Sequence, residues 1–141
     1  MLVNSQAIKP TNGHTPAEDA PRRTVMFYSP DVDFCVSMRL LFQDRYHVVT
    51  VSDPEMVIAA VREFHPYLMV VDSPPTKSMM TRFEQIKREF PKTQIISFYA
   101  PQLNRANESR STFPWVDAAF TKPIDLAEVT RHMSEMMSES S

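Results

Sequence analysis

From Thr24 onward, short continuous apolar runs alternate with stretches in which apolar residues recur at helical spacing. The runs are Val25-Met26-Phe27-Tyr28, Val48-Val49-Thr50-Val51, Tyr67-Leu68-Met69-Val70-Val71, Gln94-Ile95-Ile96-Ser97-Phe98 and Ala118-Ala119-Phe120-Thr121. Apolarity that does not alternate suits strands covered on both faces, as in parallel sheets. The stretches between them carry helix grammar. Ser29-Pro30-Asp31 offers a capping serine, a proline at the first helical position and an early carboxylate, and Phe34, Cys35, Met38, Leu41 and Phe42 then share one arc. Ser52-Asp53-Pro54-Glu55 is a capping box that opens a helix running to about Phe64. A third helix is predicted from Met79, Phe83, Ile86 and Phe90, and a short fourth one within the polar segment Leu103 to Thr112. A second box, Asp125-Leu126-Ala127-Glu128, starts a fifth helix with the stripe Leu126, Val129, Met133 and Met136 or Met137.

Strand starts near 25, 47, 67, 94 and 117 are separated by 20 to 27 residues, the length of one strand, one helix and two short connections. Strict alternation predicts an α/β fold: five parallel strands in an open, doubly wound sheet flanked by five helices. Ligands of such sheets bind at the carboxyl edge of the strands. Residues 1–22, rich in Pro, Thr, Asn and Ala without apolar period, read as a disordered arm; 23–138 form the domain, and 139–141 a frayed tail.

Composition narrows the function. A chain of 141 residues with 43% hydrophobic and 23% charged residues suits one soluble domain. A net charge of −2 argues against a nucleic-acid surface, and no apolar run has the length to cross a bilayer. Cys35 is the only cysteine and, with no secretory signal among Met1 to Ala20, fits a cytoplasmic protein. The sole glycine, Gly13, lies in the arm, so the domain has no glycine-rich loop to cradle a phosphate or dinucleotide. No Ser-His-acid set, glycine elbow or metal cluster is present, and no enzyme activity is expected.

Two stretches at the predicted sheet edge resemble the receiver domain of two-component response regulators, a flavodoxin-like fold. Tyr67-Leu68-Met69-Val70-Val71-Asp72 is similar to the family's third strand with its phosphoacceptor aspartate. Phe120-Thr121-Lys122-Pro123-Ile124-Asp125-Leu126 is similar to its fifth strand and lysine–proline turn, which implies a cis bond before Pro123. In that family two acidic residues after the first strand and the acceptor aspartate hold Mg²⁺, the lysine neutralises phosphoryl charge, and a hydroxyl from the fourth strand bonds the phosphoryl oxygens.

This sequence departs from the pattern. Ser29 and Pro30 stand in place of the acidic pair, Tyr99 in place of the small hydroxyl residue, and Ala119 in place of the aromatic switch residue. Tyr99 and Ala119 are expected to exchange volume, Tyr99 filling space that a mobile ring enters in active relatives. Asp72 is read as a relic acceptor paired with Lys122. Asp31 or Asp33 could join Asp72 to hold Mg²⁺ weakly; the competing and preferred reading makes Asp31 a first-turn carboxylate that complements the helix dipole. Cys35 reads as an inert packing residue.

The expected function is therefore a degenerate receiver that binds a protein partner, a kinase or another signalling protein or a second copy, independently of phosphorylation and without a cofactor. The resemblance implies docking through the fourth helix, fifth strand and fifth helix, with Phe113, Trp115, Met133 and Met137 as candidate contacts. Trp115 equally suits a plug for the sheet edge. The alternative is a phosphorelay receiver phosphorylated at Asp72 with Mg²⁺.

Overall fold

A computed structural model describes residues 22–100 and 114–138. Its elements are β1 (Thr24–Tyr28), α1 (Val32–Phe42), β2 (His47–Val51), a turn of 3-10 helix (Pro54–Met56), α2 (Val57–Phe64), β3 (Leu68–Asp72), α3 (Lys77–Glu89), β4 (Gln94–Tyr99), β5 (Ala118–Thr121) and α4 (Leu126–Ser138). All neighbouring strands pair parallel in the order β2-β1-β3-β4-β5, the doubly wound flavodoxin-like topology. Each expected strand is present, within two residues of its predicted start.

Side chains alternate across the sheet and so divide the core into two layers. Val25, Phe27, Val70, Ile96 and Phe98 face Met38 and Phe42 of α1 and Val129, Met133, Met136 and Met137 of α4. Met26, Tyr28, Met69, Val71 and Ile95 face Val57 and Val61 of α2 and Met79, Phe83 and Ile86 of α3. Covering on both sides explains the continuous apolar runs of β1 and β3. The edge strands β2 and β5 are only partly covered, a departure from the reading that all five are buried. No helix among the described residues is long and apolar enough to cross a membrane.

The helix starts need correction. Ser29 does not cap α1; Asp31 does, its Oδ1 accepting from the amides of Asp33 and Phe34, and Pro30 precedes the cap. A carboxylate is the stronger acceptor for helix amides, and the Ser29 hydroxyl is engaged elsewhere. Likewise Asp53, rather than Ser52, accepts from the Glu55 amide, and a 3-10 turn leads into α2. The second box behaves as read, Asp125 accepting from the amides of Ala127 and Glu128.

The predicted apolar arcs are also too wide. Leu41, at the margin of its stripe, and Leu126, the first residue of α4, are exposed. Met133 and Met137 are buried against β1, β3 and β4, so they pack the core and cannot form a docking stripe. The predicted fourth helix, Leu103 to Thr112, and the arm 1–21 lie outside the described residues. At the end of α2, His65 adopts a left-handed conformation with φ 47°, because Pro66 disfavours a further helical residue before it and no glycine is at hand.

Candidate functional site

Parallel strands bring their carboxyl ends to one edge, and three of the residues singled out by sequence meet there. Ser29 directly follows β1, Asp72 ends β3 and Lys122 directly follows β5. Ser29 is fully buried and Asp72 is 7% exposed. The Ser29 hydroxyl donates to Asp72 Oδ2 at 2.8 Å and accepts from the Asp31 amide at 3.0 Å. Its own amide donates to Val51 O at 3.1 Å, which fixes the turn between β1 and α1 against β2. The Lys122 ammonium pairs with Asp72 Oδ1. Both oxygens of the carboxylate therefore have a partner, one neutral donor and one cation.

The frame around Lys122 follows from its neighbours. Its amide donates to Tyr99 O at 2.8 Å, tying the end of β5 to the end of β4, and the Lys122–Pro123 peptide is cis, as the motif implied. Cys35 is buried, with Sγ 3.7 Å from Ser29 O, 3.8 Å from Val51 O and 3.6 Å from Ser52 Oγ, consistent with a packing role.

The Mg²⁺ ion on which receiver phosphorylation depends does not fit these residues. It requires hard oxygen ligands in a near-octahedral set. Ser29 presents a neutral hydroxyl already hydrogen-bonded to Asp72, and Pro30 has no donor atom. Asp31 is occupied with capping α1, Asp33 sits exposed in the first turn, and Asp53 caps the turn before α2. Among the described residues, no group of three or more His, Cys, Asp or Glu is placed to hold a metal ion.

Tyr99 and Ala119 project from the same face of the sheet: Tyr99 is in register with Thr121, and Ala119 with Ser97, so they are diagonal neighbours on adjacent strands. Both are partly buried. A groove of about 550 Å³ is lined by Ala119, Thr121, Pro123, Asp125 and His132 among others. Trp115 is partly buried and packs against the layer under α2 and α3. Phe113 lies outside the described residues.

The local sequence does not mark the bond from Ser29 to Asp72, since serine before Pro-Asp resembles a helix cap. Its signal in the sequence is positional: a small polar residue directly after a fully buried strand is itself buried and must find a partner. Tyr28, one residue earlier, carries a phenol into the core. Burial raises its phenol above the ordinary value of 10.0; the Arg82 guanidinium opposes this, and Asp53 and Cys35 add to it. A folded-state value above the unfolded one means this contribution is complete below about pH 10 and is lost as the pH rises through the folded value. Tyr28→Phe is accordingly expected to lessen the alkaline loss of stability, followed by circular dichroism in urea from neutral to strongly alkaline pH. Burial also raises the Tyr46 phenol, with Arg45 opposing it, so part of the loss is expected to remain.

No protein-family model matches the sequence, and no curated protein matches it. Solved structures do match. The N-terminal signal receiver domain of a two-component response regulator from Bacteroides fragilis aligns with TM-score 0.69 at 18% identity, over 84% of this chain and 99% of that one. A response regulator from Desulfuromonas acetoxidans gives 0.68 at 13%, over 84% and 99%. The chemotaxis protein CheY4 of Vibrio cholerae gives 0.66 at 12%, over 82% and 98%. With the strand order and the Asp72–Lys122 pair at the carboxyl edge, these matches establish that the chain has the fold of a response-regulator receiver domain.

Proposed function

We propose that this domain works as a signalling module that binds a protein partner without being phosphorylated. One observation carries the reading: Asp72, the acceptor position, is buried between a neutral hydroxyl and an ammonium, with no second carboxylate bonded to it. Lys122 supplies the positive charge that a metal ion would supply at the carboxylate, and Ser29 supplies a hydrogen bond in place of a ligand. The pair thus stabilises a single arrangement of the β1, β3 and β5 ends, and signalling depends on which surfaces that arrangement presents. Catalysis has no part in it, and no cofactor is needed.

A metal and phosphoryl-mimic titration tests this. Trp115 is the only tryptophan and packs on the core, so its fluorescence reports rearrangement of the sheet edge. Adding Mg²⁺ to tens of millimolar, roughly the weak-site regime, with beryllofluoride is expected to leave the emission unchanged. A saturable change that Asp72→Asn removes would overturn the proposal in favour of a phosphorelay receiver.

A further inference from the structure

The carboxyl edge of the sheet holds the Asp72 site. At the opposite edge a cleft of about 410 Å³ lies between the segments that lead into β3 and β4. The first segment lines it with His65, Pro66 and Tyr67, the second with Phe90, Pro91 and Lys92. Hydrogen bonds stitch the two segments together. Thr93 Oγ1 donates to Pro66 O at 2.9 Å, the Gln94 amide donates to Tyr67 O at 3.0 Å, and the Thr93 amide turns back to Phe90 O at 3.0 Å. Thr93 is buried, so these polar groups are spent inside the fold and the cleft is left with rings and prolines. At the left-handed turn, the His65 ring meets Phe90 edge-on, with centres 5.3 Å apart and planes at 68°. Tyr67, half-buried, adds a third ring. The volume is that of a small-molecule pocket, and rings set at steep angles accept a further ring edge-on or offset.

Charge narrows the ligand. The Glu89 carboxylate, also in the lining, accepts from Arg62 Nε at 3.1 Å, from Arg62 Nη2 at 2.9 Å and from Gln85 at 3.1 Å, so it is already answered. Arg62 stands in the last turn of α2, and Lys87 and Arg88 in that of α3, so cations already face the negative ends of both helices. Lys92 differs. It is exposed, and among the described residues nothing pairs with it, which makes it the uncompensated charge of the lining. The Arg23 guanidinium, 4.4 Å from the centre of the Tyr67 ring, adds to the positive field on this side.

We propose that this cleft binds a small aromatic monocarboxylate, its ring among His65, Tyr67 and Phe90 and its carboxylate on the Lys92 ammonium. The site is independent of the reading of Asp72. A ligand there fixes the entries to β3 and β4, the strands whose far ends carry Asp72 and Tyr99.

The probes are 3-phenylpropionate and its uncharged amide, 3-phenylpropanamide, with the backbone amide shifts of the full chain followed by NMR. The acid is expected to give saturable shifts at His65, Tyr67, Phe90 and Lys92, with a dissociation constant of roughly a few millimolar, that of a ligand this small. The amide is expected to bind at least about threefold more weakly, and Lys92→Ala, at an exposed position, to remove that difference. Shifts that do not saturate, or that scatter over the surface, would overturn the proposal. So would equal binding of acid and amide, or a preference for the acid that survives Lys92→Ala. A blocked pentaproline peptide that moves the same amides at lower concentration than the acid would overturn it in favour of a peptide site.

Discussion

Phe98→Ala is expected to remove about 3–5 kcal/mol of stability, a large part of the 5–15 kcal/mol typical of a domain (roughly). Phe98 is fully buried and meets two rings edge-on: Phe34 of α1 at 6.1 Å and Phe120 of β5 at 6.2 Å. Its removal empties the joint between the first helix, the fourth strand and the edge strand. Asp72 is in register with Phe98, so the cavity opens directly beside the carboxyl edge. Urea unfolding measures the loss, with Leu41→Ala as the contrast; that side chain is half exposed, and its truncation is expected to cost under about 0.5 kcal/mol. If the two substitutions cost the same, the layer under α1 and α4 is not the core described here.

The same residues show why the fold was easier to read than the site. Phe98 sits in a run whose burial on both faces leaves a continuous apolar block, and this run, with four others spaced along the chain, determines the strand count, even though the edge strands are only partly covered. Burial on helices is less sharply written. Leu41 and Leu126 are as apolar as core residues, yet Leu41 lies at the margin of its arc and Leu126 at the first position of α4, and both are exposed. Conversely, Met133 and Met137 look adaptable enough for a docking surface, and only the packing of α4 on β1, β3 and β4 shows that they are enclosed. At the site, Asp72 and Lys122 were legible because motif and strand end coincide. The role of Ser29 was not, since the same Ser-Pro-Asp string satisfies the grammar of a helix start. The choice between capping α1 and bonding Asp72 is made by a contact 43 residues away in sequence, which no local pattern encodes.

Restoring two acids should therefore restore a metal response. In the double variant Ser29→Asp, Pro30→Asp, Mg²⁺ is expected to raise thermal stability, while the unaltered chain stays flat. The position of Ser29 is fully buried and its oxygen lies 2.8 Å from Asp72 Oδ2, so a carboxylate there crowds like charge that Lys122 alone cannot neutralise. Without metal the variant is expected to lose several kcal/mol (roughly the cost of an uncompensated buried charge). With a dissociation constant on the order of 1 mM, 10 mM Mg²⁺ would return about 1.4 kcal/mol through binding to the folded state alone. For a domain near this size that is a Tm rise of roughly 5 °C or more, which a thermal scan with and without Mg²⁺ resolves. Ca²⁺, larger and less demanding of octahedral geometry, serves as a second probe of the same oxygens. A double variant that ignores both ions would show that the missing acids do not by themselves decide whether the Asp72 site holds a metal. An unaltered chain that gains as much as the variant would mean Asp31 or Asp33 already completes the cation site, and the phosphorylation-independent reading would fall with it.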